Sequence, residues 1–461
     1  MSSETEPCTP LVDPAPDGPP VRAPSRGGGR DRPATGRRAA LQPAAVLTAW
    51  ALFLLLVWLL GQYKEASTEE HLALGAMPLF GRWETHVGAH LLVPAATGAL
   101  IIALLPAIAA RWRWRWTALA TATAAVAFSI ALAYAHSHPG TWEDMHRNYG
   151  QAIHFVDDAG GIGPFLASYV DLQLAGDFPI HLQSHPPGLV LLLWTAAQIG
   201  LAGLLFENTV IMLAAAASVL AALVIARDVA GERLARRSAP FLVIAPAAFW
   251  HNNADIVFGG VVLTAAACLI LATNRAGAKA AGLTLAGGLL AGAALMLSFS
   301  SALLAVPVVA VAVTRRRLRV LLAGAALAAL VVLAPMLGGY WWLDGLAATR
   351  VRYYAGVASA RGYWYFLIAN PAVFALALGP AIAVALTRLR DRRMWIVVGS
   401  CLAAVAVADV SGMSSSETER IWQPFMPLVL LAGCALPRPR PWLALQLTIA
   451  LVIAATLRVQ W

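Results

Sequence analysis

Two adjacent carboxylates, Glu143 and Asp144, lie in a polar stretch that directly follows an apolar run ending at Tyr134. The stretch, His136–Gly150, also contains three histidines and one arginine. A carboxylate at the end of a membrane segment can carry out acid–base chemistry. We therefore predict that Glu143 or Asp144 is catalytic. The alternative is that both are solvated charges in a loop.

Three further polar segments border apolar runs, and the threading described below predicts them on the same side of the membrane. On such a face, arginines could bind an anionic lipid headgroup. Aromatic, histidine and amide side chains could bind a sugar, and carboxylates could carry out acid–base chemistry. The tryptophans have a second interpretation, as residues of an interfacial aromatic belt. The candidates are His185, Asn253, Asp255, Trp341, Trp342, Arg350, Arg352, Glu419 and Arg420.

The composition indicates which elements must position these residues. The chain has 461 residues, of which 59% are hydrophobic and 12% charged, whereas soluble domains have about 25% charged residues. Many apolar runs approach the length of roughly 20 residues that spans a bilayer, so the sequence predicts an all-α, polytopic membrane protein. The net charge of +9 comes from short arginine clusters between these runs. That pattern is typical of membrane topology, and no nucleic-acid partner is expected.

The arginine clusters also predict the threading of the chain. Residues 1–44 form a disordered cytoplasmic tail, and residues 45–461 form a multi-pass domain of the cell membrane with an extracytoplasmic loop at 136–186. The prediction is about 13 spans and an extracytoplasmic C-terminus. It requires that one of two apparent helices in 187–226 is re-entrant or in-plane. The other predicted spans are 46–61, 89–110, 117–135, 239–250, 256–273, 281–297, 301–313, 320–338, 366–386, 394–410, 421–436 and 441–457.

This layout resembles the GT-C superfamily of membrane glycosyltransferases, which use polyprenyl-phosphate sugars, and within it the actinobacterial mannosyltransferase-like branch. Trp142-Glu143-Asp144 is similar to the acidic motif of the family, and His185-Pro186-Pro187 to its helix-start motif. Asn253 to Asp255 resembles an outer-turn acid of such enzymes. The resemblance covers roughly residues 117–436. Two departures are an acidic loop that follows the third apolar run and the lack of a large soluble C-terminal domain.

The resemblance implies transfer of a sugar, such as mannose or another hexose or pentose, from a polyprenyl phosphate to a glycan, lipid or protein acceptor outside the membrane. Glu143 or Asp144 would be the base of an inverting reaction, and Arg350, Arg352 or Arg420 would stabilise the departing phosphate. Carboxylates also suit Mg²⁺ or Mn²⁺, so a divalent cation stays open, and no other cofactor is expected. The histidines lack the spacing of a zinc site.

Two other functions compete with this interpretation. A transporter or lipid flippase would place polar residues along a path through the membrane, whereas most interior segments here contain only alanine, leucine and valine. A non-catalytic protein of cell-envelope assembly could retain each of these motifs as scaffold. We favour the enzyme because the polar residues gather on one predicted face.

Overall fold

The computed structural model describes residues 35–67, 72–136 and 142–459, without the side chains of residues 35–41 and 67. Contacts divide the chain into Met1–Gln42 and Pro43–Trp461, and all elements below belong to the second unit except the first turns of α1. The tail predicted to be disordered lies mostly outside the described residues, and the boundary predicted at residue 44 stays a prediction.

The described residues are overwhelmingly helical. Short two-residue strands form two small antiparallel pairs, β1 with β2 and β3 with β4. The strands are β1 (Gly75–Ala76), β2 (Leu79–Phe80), β3 (Arg82–Trp83) and β4 (Leu457–Arg458). The helices are α1 (Thr35–Ser67), α2 (Leu92–Arg111), α3 (Trp114–His136), α4 (His154–Asp158), α5 (Ile162–Ala175), α6 (Gly188–Ala197), α7 (Leu204–Ala230), α8 (Glu232–Val243), α9 (Ala254–Ala272), α10 (Gly277–Leu297), α11 (Ala305–Thr314), α12 (Leu318–Leu333), α13 (Trp342–Ala355), α14 (Tyr363–Leu378), α15 (Pro380–Arg388), α16 (Arg392–Val410), α17 (Thr418–Ile421), α18 (Met426–Leu430) and α19 (Pro439–Thr456).

The helices confirm a polytopic membrane fold but do not confirm the predicted count of 13 spans. Within the described residues, nine helices have the length and composition of a membrane span, and the bent pair α14–α15 would make ten. Three predicted spans have no such helix. Residues 239–250 include Pro240 and Pro246, and the short α8 ends before the second proline. The helix over Phe299–Thr314 is too short, because the hydrocarbon core is about 30 Å thick.

The third missing span, 421–436, is instead a chain of short helical pieces in the protein interior. Its residues from Trp422 to Cys434 are all buried. Pro424 and Pro427 remove backbone donors, so the segment cannot continue as one regular helix. The apolar run at 421–436 therefore belongs to the core of the protein and is not a membrane span that faces lipid.

The region 187–226 agrees with the prediction that only one of its two helices crosses. Helix α6 has 10 residues, which is about 15 Å, whereas α7 has 27 residues and continues to Ala230. The neighbouring region 142–186, predicted as a loop, is largely helical: it contains a π-helix at His146–Gly150, then α4 and α5.

Three packed helices, α3, α7 and α9, connect two chemically different ends of the molecule. Helix α3 begins at Trp114 beside Arg227, and this end is rich in arginine; we call it the basic end. Helix α9 runs the opposite way and begins with Asp255 at the end that carries most of the predicted site residues; we call it the site end. The alternation that the arginine clusters predict is therefore present in these helices.

A sharp break between α14 and α15 is stabilised by a side chain that comes much later in the sequence. The two helices meet at an angle of 93°, and Gly379 at the break has a φ of +82°, which favours glycine. Gln446 of α19 donates from Nε2 to the Leu378 carbonyl at 2.7 Å and accepts from the Ala381 N–H at 3.3 Å. The pairing of β4 with β3 likewise joins residues from opposite parts of the chain.

Candidate active site

A buried arginine, Arg420, is the centre of the polar cluster at the site end. Its Nη1 donates to Asp255 Oδ2 at 2.5 Å, and its Nη2 donates to Glu417 Oε2 at 2.6 Å. The same Nη2 lies 3.1 Å from His181 Nε2. Burial alone would lower the pKa of Arg420, but the charges of Asp255 and Glu417 raise it well above its usual range. Arg420 is therefore permanently charged and joins three distant parts of the sequence.

The local sequence explains why Asp255 points at this arginine. Asn253 caps α9, since its Oδ1 accepts the Asp255 backbone N–H at 2.9 Å. The Asn253 amide also donates to the Trp250 carbonyl at 2.7 Å, which fixes the turn that precedes the helix. Asp255 thus lies in the first turn of α9, where the helix dipole stabilises a negative charge.

The segment that carries Arg420 has an unusual backbone. Ser416 and Glu417 have φ values of +106° and +60°, the left-handed region that non-glycine residues rarely occupy. This turn places Glu417 directly before α17, so that its carboxylate contacts Arg420, three residues later in the chain. Residues held in such conformations are concentrated at functional sites, where the surrounding structure stabilises the strain.

Asp144 is the member of the predicted acidic pair that joins the cluster. Its side chain is buried, with 3% of the residue exposed, and its Oδ1 accepts a hydrogen bond from Asn148 Nδ2 at 3.0 Å. Burial raises the pKa of Asp144 to about 6, while the nearby charge of Arg420 opposes the rise and that of Asp255 adds to it. Glu143 is partly exposed and has no side-chain hydrogen bond or ion pair within the described part of the chain.

Two histidines line the same region in the neutral form. Burial is the main reason why the pKa of His181 falls well below its usual range, and Arg420 lowers it further. Because Arg420 is a donor, His181 Nε2 must accept, so its proton resides on Nδ1. Burial also lowers the pKa of His185 to about 4. The His185 ring packs against Phe258 and Tyr149, with ring centres 4.9 and 6.1 Å away.

A further buried acid, Glu419, connects the cluster to the β1–β2 hairpin. Its Oε1 accepts the Phe80 backbone N–H at 3.2 Å, and burial raises its pKa to about 7. Arg361 fixes the same two segments from the other side. It donates to the Leu72 carbonyl at 2.9 Å and to the Ser415 carbonyl at 2.6 Å. The hairpin and the loop before α17 are therefore held together beside the site.

The remaining predicted residues lie apart from this cluster. Arg350 is exposed and forms no hydrogen bond or ion pair with other described residues. Arg352 donates to Gln183 Oε1 at 3.0 Å, in a contact between α13 and the segment after α5. Trp342 donates to the Leu295 carbonyl at 2.9 Å, and Trp341 precedes the first turn of α13. Arg352 and Trp342 therefore have hydrogen bonds within the protein, and the substrate roles predicted for these four residues stay predictions.

Sequence reasoning missed several residues that the structure places in the cluster. Glu417 could have been noticed because it precedes Arg420 by three residues, the spacing of a helical ion pair. His181 and Tyr149 carry no signal that separates them from other histidines and tyrosines. Arg147 lies in the first polar stretch, and its charge acts on both Asp144 and His181.

A divalent cation does not fit these acids as they are arranged. Arg420 already bridges one oxygen of Asp255 and one oxygen of Glu417, so a permanent cation occupies the position between these two acids. Across residues 35–67, 72–136 and 142–459, no group of three or more histidine, cysteine, aspartate or glutamate side chains could hold a metal ion. Among the described residues, the positive charges that act on Asp144 are those of Arg420 and Arg147.

Comparison with known proteins finds similarity among solved structures. No family model matches the sequence, and no curated protein matches it. Among solved structures, the crystal structure of ArnT from Cupriavidus metallidurans in the apo state is similar to this chain, with 19% sequence identity and a TM-score of 0.38. The similarity covers 61% of this chain and 56% of that chain, so the two share little more than half of their lengths.

Proposed function

We propose that this protein is an inverting membrane glycosyltransferase that moves a sugar from a polyprenyl phosphate to a hydroxyl group on the extracytoplasmic side. The observation that carries the proposal is Asp144, a buried carboxylate that lies within the electrostatic reach of Arg420 at one end of the membrane helices. A lipid-linked donor is confined to the bilayer, whereas its acceptor arrives from water. The site end of the helices is where these two substrates can meet.

Asp144 is suited to act as the general base. With a pKa of about 6, it is mostly ionised at neutral pH and still binds a proton tightly enough to remove one from a hydroxyl group. A base whose pKa lies near the working pH is the most effective, and such a group contributes typically about 10²–10⁴-fold to the rate. Asn148 holds one carboxylate oxygen, which leaves the other to face the acceptor.

Two arginines would stabilise the departing phosphate. Arg147 is exposed and its charge acts on Asp144, so it lies on the open side of the site. Arg420 is buried and already bound to two carboxylates, so its role is to orient them and to offset part of the negative charge that would otherwise repel an anion. Positive groups fixed before the reaction stabilise developing charge without the cost of reorganising water.

The reaction that follows is a single displacement. The acceptor oxygen attacks the anomeric carbon while the bond between that carbon and the phosphate oxygen breaks, and the configuration inverts. The acceptor proton goes to Asp144, and the polyprenyl phosphate leaves with the bonding electrons. Neutral His181 and His185 add hydrogen-bonding groups to the wall of the site without adding charge. Mannose, another hexose or a pentose would each be compatible with this chemistry.

The test is turnover by purified protein in lipid with a panel of polyprenyl-phosphate sugars, scored as release of the lipid phosphate. We expect Asp144→Asn to lose at least about 100-fold in rate, the contribution of a general base. Asp158→Asn is the matched control, because Asp158 lies on α4 of the same region with its side chain 73% exposed. Glu143→Gln decides between the two adjacent acids and should be far less damaging.

Three results would contradict the proposal. Full turnover in Asp144→Asn would remove this acid from the chemistry. A loss in Glu143→Gln alone would move the base to its neighbour. No turnover by the wild-type protein with any donor would favour the transporter or flippase, which a lipid-translocation assay in vesicles would then detect, or a non-catalytic assembly protein.

A further inference from the structure

A second site lies at the basic end, opposite the candidate active site. It is a pocket of about 330 Å³ between the ends of α3, α7 and α9. The distance from Asp255 to this end along α9 is about 25 Å, at 1.5 Å per residue, so the pocket is separate from the active site. Its lining residues are Trp114, Val224, Arg227, Asp228, Leu271, Asn274 and Arg275.

The acid in this pocket, Asp228, already has its negative charge neutralised by Arg315. Arg315 donates to Asp228 Oδ2 at 2.7 Å and also to the Asp228, Ile270 and Thr273 oxygens, so all of its contacts are within the protein. Arg275 reaches the other oxygen of Asp228 only at 3.4 Å, and 42% of its side chain is exposed. The charge of Arg275 is therefore in excess of what Asp228 requires.

The opposite wall of the pocket also has more positive than negative charge. Glu232 accepts from Arg236 at 2.6 Å and from Arg227 at 2.8 Å, so one acid serves two arginines. The Arg227 side chain is 46% exposed, and its guanidinium lies 4.6 Å from the centre of the Trp114 ring. Four arginines thus share two acids around this pocket, and the two exposed ones, Arg227 and Arg275, both line it.

We propose that this pocket binds the phosphate headgroup of an anionic phospholipid. Exposed guanidinium groups on two walls match a phosphodiester, which arginine binds with paired hydrogen bonds. Val224 and Leu271 provide an apolar wall for the glycerol and the first acyl carbons, and Trp114 is typical of the membrane interface. Basic pockets between membrane helices on the cytoplasmic side suit such headgroups, and the arginine clusters predict that this end is cytoplasmic. The proposed ligand is a lipid and not a free phosphate, because the pocket lies at helix ends and its lining includes the apolar side chains of Val224 and Leu271.

The test is lipid binding by the full-length protein in phosphatidylcholine nanodiscs that contain increasing fractions of phosphatidylglycerol. Native mass spectrometry counts retained lipid, and the melting temperature reports stabilisation. We expect retention of phosphatidylglycerol by the wild-type protein and about tenfold weaker retention in Arg275→Gln, since one charge-assisted contact is lost. Arg275→Gln leaves the Arg315–Asp228 and Arg227–Glu232 pairs intact, so the variant should fold. Arg319→Gln, an exposed arginine at the same end, is the matched control and should bind as the wild type does.

Each other outcome would overturn the proposal. Equal retention by the wild type and Arg275→Gln would mean that any bound lipid lies elsewhere. Equal weakening in Arg319→Gln would indicate unspecific attraction to the basic surface. Stabilisation by soluble glycerol phosphate at a similar concentration would identify a free phosphate as the ligand. None of these readouts requires glycosyl transfer, so the result is independent of the proposed function.

Discussion

Replacing Asp144 by asparagine should stabilise the protein while it removes the proposed activity. The structure supplies the magnitude, because the pKa of Asp144 is about 6 in the folded protein and 3.8 when unperturbed. Each tenfold difference in proton affinity corresponds to about 1.36 kcal/mol, so the ionised carboxylate costs the folded state about 3 kcal/mol at pH 7. Asparagine is neutral and keeps an oxygen for the Asn148 hydrogen bond, and so avoids this cost.

The dependence on pH follows from the direction of the pKa change. The folded state holds the proton more tightly than the unfolded state, so this group favours folding below about pH 4 and loses that contribution as the pH rises through about 6. We therefore expect the stability difference between Asp144→Asn and the wild type to be close to zero near pH 4 and to grow to about 3 kcal/mol at pH 7.

The assay is thermal or denaturant unfolding in detergent or nanodiscs across this pH range, followed by tryptophan fluorescence, since the chain contains 16 tryptophans. Asp158→Asn is the control, because an exposed carboxylate should give a flat and small difference. The reasoning would be refuted if Asp144→Asn were no more stable than the wild type at pH 7, or if its gain did not change with pH. A stabilised variant that is inactive would indicate that the burial of Asp144 serves function.

Three other predictions follow from the site. The kcat/KM for sugar transfer should fall about tenfold from pH 7 to pH 5, measured as release of lipid phosphate, because the ionised fraction of Asp144 drops from about 0.9 to about 0.1 around a pKa of about 6. Arg420→Gln leaves the buried Asp255 and the partly buried Glu417 without their ion-pair partner. It should cost about 3–5 kcal/mol of unfolding free energy, measured against the exposed-site variant Arg319→Gln, which should change it by less than about 0.5 kcal/mol. Gly188→Ala should cost about 1–3 kcal/mol in the same unfolding measurement, because its Cβ would collide with the Met296 carbonyl; an unchanged stability would mean that α6 can shift.

The membrane fold could be predicted from the sequence because long apolar segments and arginine clusters are independent signals that agree. The number of spans could not, since hydropathy records only that a segment avoids water. Residues 421–436 and 239–250 avoid water by packing inside the protein, and their prolines divide them into pieces. The bend at Gly379 is likewise invisible in a run that is apolar on both sides.

The candidate site was predictable only where the residue type was unusual for its position. Asp144, Asp255 and Arg420 are charged residues at the ends of apolar runs, and the structure brings them together, although their chemical roles remain predictions. Arg350 and Arg352 carried the same signal, yet neither lies in the cluster. The difference is set by which helix ends meet in three dimensions, and residue types along one sequence do not reveal which ends those are.

The break between α14 and α15 has a consequence for how the protein is made. The ribosome delivers both helices to the membrane well before it synthesises Gln446, and β3 likewise is made long before β4. Until the later residues arrive, the Leu378 carbonyl and the Ala381 amide lack the partner that they have in the finished protein. Insertion and final assembly are therefore separate stages here: the early helices enter the bilayer in sequence order, but the bend becomes fixed only when the C-terminal helix docks.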